Sequence, residues 1–173
     1  MKKNIIAILL ASVCGFSATA ANAADGTITF TGNITDTTCD VALTGGTTDL
    51  VVQLGAFVKS KVVNASDVLS EHDVTFNLTN CPTAYTKVGV KMEGTADTVM
   101  TDAFGNQTPG GATGMAVKLL DGANVISPDT VTALKDITSG AAQLQYKAQF
   151  IATQAAVTAG EFNSVINYTM NYQ

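Results

Sequence analysis

Ile166-Asn167-Tyr168-Thr169-Met170-Asn171-Tyr172 is the stretch on which the fold turns, and the chain ends one residue beyond it, at Gln173. Apolar Ile166, Tyr168, Met170 and Tyr172 alternate with polar Asn167, Thr169 and Asn171. Period two of this kind marks a strand with one buried and one solvated face. The same alternation recurs upstream. Tyr146, Ala148 and Phe150 carry it, as do Val88, Val90 and Met92, and Val74, Phe76 and Leu78 after Glu71. Near the other end Ile28, Phe30, Gly32 and Ile34 alternate with Thr27, Thr29, Thr31 and Asn33. Apolar runs at 50–54 and 115–120 predict further strands, the second followed by a turn at Asp121-Gly122. Residues 101–114, rich in glycine, read as a loop, and 65–70 have room for one helical turn. Seven or so short antiparallel strands separated by turn signals predict an all-β protein, a β-sandwich.

Composition points the same way. The 173 residues include 25 threonines and 15 glycines, while charged residues make up 13%, against a usual share of about 25%. Threonine is stiff at χ1 and sits well on a pleated surface. The basic residues are nine lysines with no arginine, and the formal net charge is −5. That balance disfavours binding to nucleic acid or to an anionic membrane.

Residues 1–23 have the three parts of a secretory signal: Lys2 and Lys3, an apolar stretch from Ile5 to Phe16, and the small-x-small site Ala21-Asn22-Ala23. Its apolar part is short for a membrane span, so no membrane insertion is expected. Cleavage would leave 150 residues with seven lysines against 14 carboxylates, net −7. It would also remove Cys14, leaving Cys39 and Cys81 as an even pair in an oxidising compartment, which predicts a disulfide between them. A metal site would need more soft or imidazole ligands than the one histidine, His72, supplies.

Two strands are badly placed for a self-contained domain. The strand at 27–34 lies before the first cysteine of the pair, as an N-terminal arm. The strand at 166–172 has no following strand to cover its edge, and an uncovered apolar edge invites pairing with another chain.

Several residues together resemble the subunits of chaperone–usher pili, most closely the type 1 fimbrial family, over the whole mature chain. The arm Ala24-Asp25-Gly26-Thr27-Ile28-Thr29-Phe30-Thr31-Gly32-Asn33-Ile34 is similar to a donor-strand extension. Thr38-Cys39-Asp40-Val41 and Leu78-Thr79-Asn80-Cys81-Pro82 match the regions of the two family cysteines. Ala152-Thr153-Gln154 and Val157-Thr158-Ala159-Gly160 resemble the stretch before the last strand. Gly160 stands 14th from the C-terminus and Tyr172 is penultimate, as in the family's chaperone-recognition strand.

The resemblance implies an incomplete immunoglobulin-like sandwich lacking its seventh strand, with residues 24–35 as the donor extension and 36–173 as the pilin domain. It implies Ile28, Phe30 and Ile34 as groove-filling side chains, with Gly32 where the groove is shallow. It also implies Gly160, Ile166, Tyr168, Met170 and Tyr172 as residues of the groove and chaperone strand. Its partners would be neighbouring subunits, a periplasmic chaperone and an outer-membrane usher, and its destination an extracellular fimbria that supports adhesion.

The competing reading is a self-complete secreted sandwich that binds a ligand through its loops. An enzyme is disfavoured: a Ser-His-Asp or Cys-His arrangement needs a histidine near a nucleophile, and the sole candidate, His72, sits beside Glu71 and Asp73, where a solvated side chain is expected. The loop at 101–114 has no lysine and opens no helix, so it does not read as a phosphate cradle. Asp97, Asp102 and Asp121 lack calcium-loop spacing. No cofactor is expected.

Overall fold

The computed structural model describes residues 38–173, all within one compact unit that spans Thr35–Gln173. The expected signal segment and the arm, with Ile28, Phe30, Gly32 and Ile34, lie outside the described residues.

Where one face of a strand is apolar, the sequence dictates a sheet with that face turned inward. Twelve residues, Val68–Thr79, form β2, and eleven, Ala142–Ala152, form β9. The two pair antiparallel, so that Val74 lies opposite Tyr146 and Phe76 opposite Leu144. Outside them run β1 (Asp40–Leu43) on β2, and β5 (Met115–Asp121) on β9. The two-residue β4 (Phe104–Gly105) and the short β6 (Asn124–Ile126) both pair with β5. The second sheet is built on β3 (Lys87–Glu93). It carries β10 (Asn167–Tyr172) on one side, and β7 (Thr130–Val131) and β8 (Lys135–Asp136) on the other.

Inward side chains of both sheets make one core, in which Phe76, Leu78, Val88, Val90 and Leu144 are almost wholly enclosed. Each contributes about 1.5–3 kcal/mol through burial before entropy. Cys39 and Cys81 are joined with Cα atoms 4.1 Å apart, which clips the start of β1 to the end of β2. Among the described residues no helix is long and apolar enough to cross a membrane.

Four expectations change. Residues 50–54 join no ladder among the described residues. Their side chains do alternate, with Leu50, Val52 and Leu54 half-buried and Val51 and Gln53 exposed, but alternation without a hydrogen-bonded neighbour leaves an extended segment rather than a strand. Residues 65–70 form no helical turn. The Asp67 carboxylate accepts from the backbone N–H of Val63 and Asn64, at 2.7 and 2.8 Å, which closes a bend there, and β2 starts at Val68. The loop 101–114 contains β4. Finally, His72 is not a solvated loop residue. It lies within β2 opposite Ala148 of the core, because Glu71 and Asp73 take the outer face, and its Nε2 is buried without a hydrogen-bond partner among the described residues.

Candidate functional site: a groove along the last strand

An open groove of ≈ 1230 Å³ runs between two extended segments, 48–59 on one side and 157–168 on the other. Its floor is the core itself, with Val74 and Phe76 of β2, Val117 and Leu119 of β5, and Ala148 and Phe150 of β9. Rings reach across this floor: Phe150 packs on Phe57 at 5.8 Å and on Phe162 at 4.8 Å, and so touches both walls. Phe76 meets Tyr168 edge-on at 4.9 Å, and the Tyr168 hydroxyl donates to the carbonyl of Thr48 at 2.8 Å, bridging the walls. Burial pushes the Tyr168 phenol up from its ordinary range, and the Asp49 carboxylate adds to this. Val51, Phe57, Val58 and Val165 leave apolar surface exposed along the rim.

The backbone of the second wall has a directional order. Gln173 and Lys87 exchange both backbone hydrogen bonds, at 2.8 and 2.9 Å. In an antiparallel pair such exchanging residues recur every second position. Asn171 with Gly89, Thr169 with Lys91 and Asn167 with Glu93 follow in the same register. Val90 fixes the phase from the other side, since its N–H and C=O are taken by Thr132 rather than by β10. Upstream of β10 the same parity holds: the carbonyls of Glu161, Asn163 and Val165 accept from the backbone N–H of Ala112, the backbone N–H of Gln107 and the Gln107 side chain.

Odd-numbered residues therefore turn their backbone groups away from the groove, and their side chains are exposed. Even-numbered Phe162, Ser164, Ile166, Tyr168, Met170 and Tyr172 do the reverse. Their side chains are half-buried, and their N–H and C=O groups face the edge that, among the described residues, carries no strand.

The structure thus places Ile166, Tyr168, Met170 and Tyr172 on one face of one free edge. Ile166 and Tyr168 line the groove, while Met170 and Tyr172 continue the edge beyond it. Tyr172 stacks on Tyr85 at 4.8 Å; burial raises its phenol, against a lowering contact with the Cys39 backbone. Gly160 lies at the other end of the groove, where a Cβ would come 2.5 Å from the backbone nitrogen of Ala112. Phe162 and Ser164 escaped the sequence reading, although extending the period back from Ile166 reaches both. Phe57 and Asn106 carry no comparable signal.

The described residues thus form a two-sheet sandwich with an apolar groove beside a strand edge that none of them covers. The fimbrial protein family model matches residues 28–173. The chain is 35% identical to the fimbrial subunit ElfA of Escherichia coli K12, over 99% of each chain. It is 32% identical to long polar fimbria protein A of Salmonella typhimurium, over 100% of this chain and 98% of that one. Among solved structures, the P pilus rod subunit PapA superposes with a TM-score of 0.66 over 79% of this chain and 100% of its own, at 23% identity, a likeness of fold. The chain belongs to the fimbrial protein family, and it is a structural subunit of an adhesive surface fimbria.

Proposed function

We propose that the subunit polymerises by strand exchange, its groove receiving the arm 24–35 of a neighbouring copy or companion subunit. The observation that carries this reading is the free edge of alternate residues from Phe162 to Tyr172, set along an apolar groove. Addition of a strand to such an edge gains main-chain hydrogen bonds, while alternate side chains entering the groove set specificity. Ile28, Phe30 and Ile34 of the incoming arm fill the groove, and Gly32 lies where it is shallow. Before assembly, a periplasmic chaperone lends a strand to the same edge and reads the segment from Gly160 to Tyr172; the outer-membrane usher then exchanges it for the arm. The arm 24–35 and the domain 36–173 are separate working parts, and 1–23 directs export. The role is non-enzymatic: the single histidine, His72, has its Nε2 enclosed in the sandwich.

The test is periplasmic expression of the mature chain with and without the matching chaperone. Stable protein only with the chaperone is the expected result, and a soluble, stable monomer without it would sink the reading. Deleting residues 24–34 should leave chaperone binding intact and stop incorporation into fibres, and Gly32→Leu should slow exchange.

A further inference from the structure

The second wall of the groove outruns its own sheet. β3 ends at Glu93, opposite Asn167, so residues 158–165 have no β3 neighbour to hold them extended. The loop before β5 takes that place. Ala112 N–H donates to the Glu161 carbonyl at 2.9 Å, and Gln107 N–H to the Asn163 carbonyl at 2.8 Å. The Thr158 hydroxyl meets the backbone N–H and the hydroxyl of Thr113 at 2.8 and 2.9 Å.

One side chain keys this arrangement. Asn106 Nδ2 donates to the carbonyls of Ala112 and Glu161, both at 2.8 Å. Its Oδ1 accepts from Thr108 N–H at 3.0 Å and Asn163 N–H at 2.9 Å. Two of these four bonds shape the loop and two grip the wall. At the far end Gly160 and Gly111 cross so closely that neither position has room for a Cβ. Thr108 and Ala112, on the same loop, themselves line the groove.

We infer that the loop 106–113 is a rail that holds residues 158–165 in strand geometry while the groove is being filled, and that Asn106 is the positioning residue for strand uptake. The inference rests on the strand-exchange reading above. With the carbonyls of Glu161, Asn163 and Val165 engaged by the rail, the even-numbered Phe162 and Ser164 stay aimed at the free edge. The hydroxyl of Ser164 is buried there without a partner among the described residues. A wall released from the rail would populate the competent geometry only part of the time, and apparent binding falls by that fraction.

The experiment uses the full mature chain held by its chaperone, mixed with a synthetic peptide of residues 24–35, with uptake followed over time. Asn106→Ala should slow uptake about tenfold, a factor in keeping with the loss of hydrogen bonds to the wall. Amide hydrogen exchange should rise in residues 158–165 and stay as in wild type through β2 and β9. Gln107→Ala removes only the side-chain bond to the Val165 carbonyl and that to the Thr95 hydroxyl. It should change both readouts in the same direction by less, and it serves if Asn106→Ala does not accumulate. Uptake at the wild-type rate, or slow uptake with exchange raised evenly across the sandwich, would overturn the role of Asn106 alone. A wild-type subunit that takes up no peptide would overturn the strand-exchange reading beneath it.

Discussion

The hydroxyls of Tyr146 and Thr132 lie 2.9 Å apart inside the sandwich, and together they tie one sheet to the other. Tyr146 belongs to β9, whereas Thr132 follows β7 and its Oγ1 accepts the backbone N–H of Val90 in β3 at 2.9 Å. Burial, the largest influence, pushes the Tyr146 phenol up, and the Thr132 bond opposes it. Tyr146→Phe removes one hydrogen bond and should cost about 1 kcal/mol. Thr132→Val strands both the Val90 N–H and the Tyr146 hydroxyl, and should cost about 2–4 kcal/mol. Chemical denaturation of the two variants in the assembled state checks the order; equal losses would mean that the bridge is not shared in this way.

Gly160→Ala should be far worse than a turn substitution. Its methyl group would meet backbone atoms of Gly111 and Ala112, at 2.7 and 2.5 Å, and backbone cannot step aside as a flexible side chain can. A loss of about 3 kcal/mol is expected, at the upper end of overpacking costs. Gly122→Ala is the control. Its Cβ would meet no atom within 4 Å, leaving only the strain of φ +61°. Yields of the chaperone-bound subunit compare the pair directly.

Replacing Cys39 and Cys81 together by alanine releases a constraint spanning 42 residues of sequence separation. On the chain-entropy account that constraint stabilises by about 4 kcal/mol. The double variant should accumulate poorly in the periplasm, and its midpoint in denaturant should fall accordingly.

The outer face of the first sheet sets part of the acid limit. Glu71 lies below its ordinary value of 4.5, held there first by the Gln149 amide and then by the Lys147 ammonium, at 2.8 and 2.6 Å. A carboxylate with a depressed folded pKa stabilises above its unfolded pKa, and the contribution fades as pH falls through the folded one. Lys147 is raised by the same pair, so its share fades only in strong alkali, as pH rises through its folded value. Glu71→Gln should therefore flatten the decline in melting temperature below about pH 4.5 and change little at neutral pH. An unchanged acid slope would show that Glu71 does not contribute to it.

The strands with a clean buried face were readable because alternation alone decides which side of a sheet a residue takes. Phe76, Leu78, Val88, Val90 and Tyr146 are inward, and β2, β3, β9 and β10 lie within a few residues of their expected positions. Residues 50–54 show the limit of that signal, since side-chain alternation is local but a ladder needs a partner. His72 was misplaced because its charged neighbours Glu71 and Asp73 suggested solvent, when the alternation continuing back from Val74 assigns it inward. β4, β6, β7 and β8 are too short to carry a period. At the groove, Tyr168 and Ile166 could be read from the last strand, but Gly160 gave no hint that Gly111 would cross it. Asn106 looked like one more polar loop residue, because what it holds becomes adjacent only after folding.

The parity of the free edge has a further consequence. Hydrogen-bonding positions along it repeat every two residues, a step of about 7 Å. A strand arriving one residue out of step would turn its apolar side chains to solvent and its polar ones toward Phe76 and Phe150. Such an error cannot be absorbed as a small loss of fit. The edge works as a ratchet with widely spaced teeth, and a filament joined through it accepts a neighbour in register or rejects it outright.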